Sequence, residues 1–242
     1  MSKTAHDLTR KEMKGPDRFQ VAASGAAHWM AQRQKLLLVG AAVVLAVALG
    51  VVGVFSYVES RQAGAGGQLY RAIDAAGGEV STIPLPNLDR PVYKTAEERA
   101  RAVLATAEQL RSRHGGTRAA TTAALLEGDA QLALREWDRA IAAYKAFLDA
   151  APSDDVLRFA ALDGIARAQE GKGDLGAAAA AYEQAAGIGF YKDRATLERA
   201  RVLAKAGKLD EARKAVESVS KDAKDPALQA EAQERLARLG GK

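Results

Sequence analysis

The chain has 242 residues, with 35 Lys and Arg against 30 Asp and Glu, a net charge of +5, and no cysteine. The missing cysteines exclude disulfide bonds, thiolate metal sites and a lipoprotein signal. Beyond residue 58, 28 basic side chains stand against 27 acidic ones, so this part lacks the clustered basic surface of a nucleic-acid-binding domain. We therefore expect no nucleic-acid partner.

Residues 1–35 form a basic tail, in which seven Lys or Arg against three carboxylates give +4. Because positive residues are retained in the cytoplasm, we predict a cytoplasmic N-terminus and a C-terminal domain on the other side of the membrane. Within the tail, residues 18–30 are apolar with basic flanks. This segment is either an interfacial helix on the inner leaflet or part of a disordered tail.

Residues 36–58 are the most apolar stretch of the chain, with 23 positions and no charged side chain. A helix rises about 1.5 Å per residue, so this stretch would span roughly 34 Å and cross a hydrocarbon core of about 30 Å. We predict a single-pass signal-anchor helix in the lipid bilayer. A cleavable signal peptide is the alternative, because residues 63–65 resemble a cleavage site, but signal h-regions are only about 7–15 residues long.

Ala42, Ala46 and Gly50 recur every four residues on one face of this predicted helix. Small residues at that spacing let a partner transmembrane helix approach closely. The alternative is simple alanine richness.

Residues 59–94 are predicted to join the anchor to the folded domain. The segment 64–67 is glycine-rich, and with no strand before it this composition is typical of a flexible joint rather than of a phosphate-binding loop. We expect a short helix over 68–76. Residues 77–94 hold three of the six prolines and are predicted to form an irregular loop.

Thr95 is predicted to begin a long helix that runs to Arg113, because Glu98 follows at the spacing of a capping box. Further along, an internal repeat begins at Trp137, Leu175 and Leu209. In each copy a large residue is followed three positions later by Ala and four beyond that by Tyr or Val. The second and third copies are 34 residues apart and the first two 38 apart.

The repeat resembles the tetratricopeptide repeat, a helix-turn-helix unit of about 34 residues. The resemblance covers residues 117–224, and it predicts an all-α fold over 95–242 in which helix pairs stack into a solenoid. A capping helix from Pro226 would end the stack. Residues that match the family pattern are Gly128, Ala140, Tyr144, Pro152, Gly173, Asp174, Ala178, Tyr182, Ala185, Gly207 and Ala212.

Helical spacing within the first copy predicts one buried stripe, made by Trp137, Ile141, Tyr144 and Leu148. The resemblance further implies a groove lined by the first helix of each pair. Its mixed polar and apolar lining suits an extended polypeptide. The predicted protein-binding residues are Leu125, Asp129, Leu132, Asp163, Arg167, Glu170, Arg194, Leu197 and Arg201.

We predict no enzymatic activity, no cofactor and no metal site. His6, His28 and His114 are scattered, so a zinc site or a histidine-assisted nucleophile is not expected. Ser218 and Lys221 fit the S-x-x-K string of penicillin-recognising enzymes, but the other motifs of that class do not follow.

The order of basic tail, anchor, joint and repeat domain resembles the ancillary-subunit family of the bacterial Sec translocon. In that family the repeat domain faces the periplasm and is linked to translocon-associated chaperones. The resemblance implies an inner-membrane scaffold whose periplasmic domain binds partner or newly translocated polypeptides. The alternative is a coordinator of envelope or cell-division machinery with one dedicated protein partner.

Overall fold

The computed structural model describes residues 24–25, 28–83 and 90–240, except for the side chain of Leu37. The chain divides after Val58 into two units, Met1–Val58 and Glu59–Lys242. Most of the predicted basic tail and the centre of the predicted proline-rich loop lie outside the described residues.

Helix α1, Gln34–Ala76, begins in the first unit. The described side chains of its apolar stretch are all exposed: the Phe55 side chain, for example, is 71 % exposed. By length and composition α1 is long and apolar enough to cross a membrane. Trp29, which lies just before it, packs under the guanidinium of Arg33 at 5.3 Å.

The predicted flexible joint is helical, and this prediction was wrong. Helix α1 continues through residues 64–67 to Ala76, so the short helix predicted over 68–76 is its last part. Ala65 is completely buried in a cluster with Ala107 and Leu110 of the second unit. Small side chains let the helices approach closely here, and this packing outweighs the low helix propensity of glycine.

After α1, the chain forms a two-residue parallel ladder between strand β1, Glu79–Val80, and strand β2, Val92–Tyr93. The Glu79 amide donates to the Pro91 carbonyl at 3.0 Å, which holds the two ends of the intervening loop together. This ladder is a small addition to the predicted all-α fold.

The remainder of the described chain is a series of helices in which each packs against the next. Short connections between helices produce antiparallel neighbours, as predicted for stacked pairs. A 3₁₀ turn at Gly189–Tyr191 precedes α7. The helices are α2 Ala96–His114, α3 Arg118–Ala133, α4 Trp137–Ala150, α5 Arg158–Lys172, α6 Leu175–Ala186, α7 Lys192–Lys205, α8 Leu209–Asp222 and α9 Pro226–Gly240.

The ends of these helices follow from local chemistry. Thr95 caps α2, because its Oγ1 accepts a hydrogen bond from the Glu98 amide at 3.0 Å. Gly173 ends α5 with φ of 85°, and Gly207 precedes α8 with φ of 80°. Glycine adopts this left-handed conformation easily. Arg135 has the corresponding position before α4, with φ of 61°.

The core confirms the predicted stripe on α4. Tyr144 is fully buried and Ile141 is 8 % exposed, while Trp137 and Leu148 are partly buried against the same cluster. Ala140, Ala178 and Ala212, three of the residues that match the repeat pattern, are all completely buried.

Glycines in α5 receive two of these aromatic rings. A Cβ on Gly171 would lie 2.8 Å from the Trp137 ring, and one on Gly164 would lie 2.2 Å from the Tyr144 ring. The two glycines are seven residues apart on α5, and the two aromatic residues are seven apart on α4, which is about two turns on each of these antiparallel helices. On the other side of Tyr144, a Cβ on Gly128 of α3 would lie 2.6 Å from the ring. The Tyr144 ring therefore occupies the space between α3 and α5.

Candidate protein-binding face

Helices α3, α5, α7 and α9 are the first helices of successive pairs, and we call the surface they form the first-helix face. The Tyr144 ring lies between α3 and α5. Ion pairs join α5 to α7 and α7 to α9. The residues predicted to line the groove all belong to α3, α5 or α7.

Two tyrosine–aspartate pairs repeat along this face. Tyr144 donates its phenolic hydrogen bond to Asp129 Oδ1 at 2.6 Å, and Tyr182 donates to Asp163 Oδ1 at 2.9 Å. In each pair the tyrosine comes from the second helix and the aspartate from the first. Both predicted groove aspartates are thus bound to phenols from inside the fold.

Burial is the largest influence on the pKa values of Asp129, Tyr144 and Tyr182. It raises the pKa of Asp129 above the usual range, although the hydrogen bond from Tyr144 works in the opposite direction. Burial also raises the pKa of Tyr144 and of Tyr182, and the neighbouring aspartates raise both further. Both phenols therefore stay protonated at neutral pH and remain hydrogen-bond donors.

A chain of ion pairs crosses the C-terminal half of the face, and we call it the arginine–glutamate network. Arg201 of α7 donates to both carboxylate oxygens of Glu170 on α5, at 2.9 and 2.6 Å, and its Nε donates to Glu198 at 2.7 Å. Arg235 of α9 reaches the same Glu198 at 3.0 Å. Further members are Arg194, Lys205 and Glu231.

The network keeps its groups charged. Hydrogen bonds from Arg201 lower the pKa of Glu170 against the effect of burial. Burial raises the pKa of Glu198, but hydrogen bonds from Arg201 and Arg235 outweigh it and the net shift is downward. The bonds to Glu170 and Glu198 raise the pKa of Arg201. These charges are compensated within the fold. Their charge-assisted hydrogen bonds link neighbouring helix pairs.

The predicted groove residues therefore occupy different environments. The Arg167 side chain is 61 % exposed and lies 3.9 Å from Asp163, and Arg194 is 50 % exposed. Leu132 is partly buried. Leu125 and Leu197 are 7 % and 0 % exposed, so they belong to the core rather than to an exposed lining. They fill the space between packed helices, which a position in a repeat pattern does not reveal.

Sequence reasoning missed Glu198, Glu231 and Arg235 as members of the network, since isolated charges on a helix are usually solvated. One signal was present in the chain. Arg167, Arg201 and Arg235 follow one another at intervals of 34 residues, one repeat length.

In the part of the chain that the structure describes, no three His, Asp or Glu side chains are grouped so as to hold a metal ion. The hydroxyl of Ser218 donates to the Ala215 carbonyl of its own helix at 2.8 Å. His114 Nε2 lies 3.0 Å from the Gln68 side-chain amide, so it joins α2 to α1.

A family model described as a tetratricopeptide repeat-like domain matches residues 27–190, more than half of the chain. The match includes the apolar helix, α2 and the first two helix pairs. It begins well before the repeats recognised in the sequence, which start at residue 117. No curated protein matches this chain.

Proposed function

Because this chain belongs to the tetratricopeptide repeat-like domain family, we propose that it is a membrane-anchored scaffold that binds polypeptides. The binding domain lies at the outer face of a bacterial inner membrane. Its ligands are partner or newly translocated polypeptides leaving the Sec translocon. The tail comprises residues 1–35, the anchor 36–58, the connecting segment 59–94 and the repeat domain 95–242.

Two observations support an uncleaved anchor. Every described side chain of the apolar stretch 36–58 is exposed, and exposed apolar surface of this extent requires a covering such as lipid. The small-residue triplet at 63–65, which resembles a cleavage site, is helical, and its Ala65 is buried. A helical segment with a buried residue is a poor substrate for a peptidase, which cleaves extended chain. Resistance of the full chain to extraction from membranes at alkaline pH would test this point.

The observation that carries the binding proposal is the composition of the first-helix face. Many of its charges are paired, and its first helices carry both exposed side chains such as Arg167 and Arg194 and partly buried apolar ones such as Leu132. A surface without a strong net charge suits an extended chain of mixed sequence. The fold itself is typical of protein-binding scaffolds rather than of enzymes.

Photo-crosslinking in intact cells tests the proposal. A photoreactive residue at Arg167 would probe the first-helix face. A second one at Lys145, exposed on α4, the second helix of the preceding pair, is the matched control. We expect adducts with translocon subunits or with many secreted chains from position 167 and few from position 145. Equal adducts from both positions would contradict the assignment of the face.

A single recurrent adduct would assign the alternative function. If position 167 captures one envelope or cell-division protein at stoichiometric yield, the chain is a dedicated coordinator of that machinery.

A further inference from the structure

Alternate connections of the solenoid lie at the same edge, because each helix is antiparallel to the next. One edge holds the connections α2–α3, α4–α5, α6–α7 and α8–α9, and we call it the loop edge. Its residues are 115–117, 151–157, 187–191 and 223–225. The connections inside the helix pairs lie at the opposite edge.

Contacts show that the first three connections of the loop edge are neighbours. A cavity of about 580 Å³ is lined by Gly116 of the first connection and by Val156 of the second. The Phe159 ring, at the start of α5, stacks on Tyr191 of the third connection with 4.1 Å between the ring centroids. The loop edge is therefore a continuous surface over these three connections.

Exposed apolar side chains are concentrated on this edge. Between residues 96 and 240, the described chain exposes four large apolar side chains: Val156, Leu157, Phe190 and Leu209. The first three belong to the loop edge, whereas Leu209 begins α8 at the opposite edge. Single exposed apolar residues are common on soluble proteins, but three in two adjoining connections form a patch.

Phe190 is the most exposed member of the patch, at 91 %. It lies in the 3₁₀ turn Gly189–Tyr191, in which the Tyr191 amide donates to the Ile188 carbonyl at 2.8 Å. Tyr191 is stacked on the fold, and the Phe190 ring meets it edge to face at 5.1 Å. The turn thus holds one ring against the domain and presents the next one outward.

The chain enters the second unit beside the same edge. Arg61 donates to the Gly115 carbonyl at 3.4 Å, and a Cβ on Gly64 would lie 3.5 Å from the His114 ring. Arg61 follows Val58, the last residue of the proposed anchor, by three positions. Three residues span at most about 11 Å, so the first connection of the loop edge is within reach of lipid headgroups.

The charges of the loop edge are compatible with a lipid surface. Its exposed groups include Lys192 and Lys224 but also Asp154 and Asp225, so no large charge of one sign is present. Lys192 directly follows the two rings. At a bilayer surface its ammonium group can stay among the phosphates while the Phe190 ring enters the acyl boundary.

We propose that the loop edge rests on the surface of the lipid bilayer, with the Phe190 ring inserted between headgroups and acyl chains. The patch gives the repeat domain an attachment to the membrane besides the anchor. The inference rests on the membrane anchor of the proposed function, and it goes beyond the polypeptide-binding face by assigning a second surface of the domain to lipid.

Site-specific fluorescence tests the inference, and the absence of native cysteine allows one label per chain. The full chain with Gly189→Cys is labelled with the fluorophore NBD and reconstituted into phosphatidylethanolamine–phosphatidylglycerol vesicles. A Cβ at Gly189 meets no atom within 4 Å, so the label has room beside the turn. Leu209→Cys is the matched control, since Leu209 is an exposed apolar residue at the opposite edge.

Lipids that carry a nitroxide on the headgroup quench only fluorophores close to them. We expect these lipids to quench NBD at position 189 about twice as strongly as at position 209, because an interfacial side chain lies within a few Å of the headgroups. Adding Phe190→Ser to the Gly189→Cys chain should lower the quenching to that at position 209, since the inserted ring is lost.

Equal quenching at positions 189 and 209, or quenching at 189 that Phe190→Ser leaves unchanged, would overturn the inference. So would energy transfer between chains labelled at position 189 in the absence of lipid quenching, which would assign the patch to a second copy of the chain. The anchor is tested separately. Release of the chain by alkaline extraction would refute the anchor, whereas retention without quenching at position 189 would refute only the lipid contact of the loop edge.

Discussion

Replacing Gly164 with alanine tests whether the Tyr144 ring locks α3 to α5. The new Cβ would lie 2.2 Å from Cζ of Tyr144, and the ring cannot retreat because Gly128 lies against its other side. Overpacking of this kind costs about 1–3 kcal/mol, and the higher helix propensity of alanine offsets up to about 1 kcal/mol. We expect a net loss of about 1–2 kcal/mol in the free energy of unfolding. The assay is urea unfolding of the full chain in detergent micelles, followed by far-UV circular dichroism.

The sign of this effect should depend on the ring. In a Tyr144→Val background, which copies Val216 of the third pair, Gly164→Ala should stabilise by about 0.5–1 kcal/mol, because only the helix propensity remains. Gly176→Ala in α6 is the control, since its Cβ would lie 3.6 Å from Asp174 Oδ1, an ordinary contact. If Gly164→Ala destabilises equally with and without the ring, the interlock does not exist as described.

Three further changes test other contacts. Tyr182→Phe leaves Asp163 without its phenol donor and should cost about 1–3 kcal/mol in urea unfolding; an unchanged midpoint would show that water replaces the hydroxyl. Arg201→Gln removes the two bonds that lower the pKa of Glu170. The wild type should therefore be more stable than the variant above the ordinary glutamate pKa, and this difference in stability should disappear as pH falls through the lowered pKa of Glu170. Thermal unfolding of both proteins down to about pH 3 would measure it. Arg135→Gly relieves a left-handed backbone and should stabilise by about 0.5–1 kcal/mol; a lower urea midpoint would mean that the arginine side chain matters more than its φ of 61°.

The helix pairs could be read from the sequence because their signals are local. Spacing of 34 residues, a capping threonine at Thr95 and a proline at the start of α9 each specify an element without knowledge of its neighbours. The glycine-rich segment 64–67 was misread for the opposite reason. Its helical state depends on packing against α2 and α3, which no window of the sequence contains.

The candidate site was only partly predictable. Repeat positions place Asp129, Asp163 and Arg167 on the first-helix face. The register of the repeats does not show which side chains at these positions are buried by neighbouring helices. Leu197 occupies an aspartate position of the preceding repeat and is completely buried. The partners of Arg201 lie up to 31 residues away on another helix, and pairing over that distance depends on side-chain geometry.

The tyrosine rings also make the stiffness of the solenoid uneven along its length. Tyr144 ties two neighbouring pairs together, and Tyr182 reaches from α6 to α5 beside Arg201, whereas the third pair has the smaller Val216, without a hydroxyl, at the corresponding position. In a stack where each unit touches only its neighbours, weaker coupling at one end lowers the cost of opening that end alone. Helices α8 and α9 can then separate briefly while the pairs before them stay folded, so the end of the solenoid opens through a local fluctuation that leaves the rest of the domain intact.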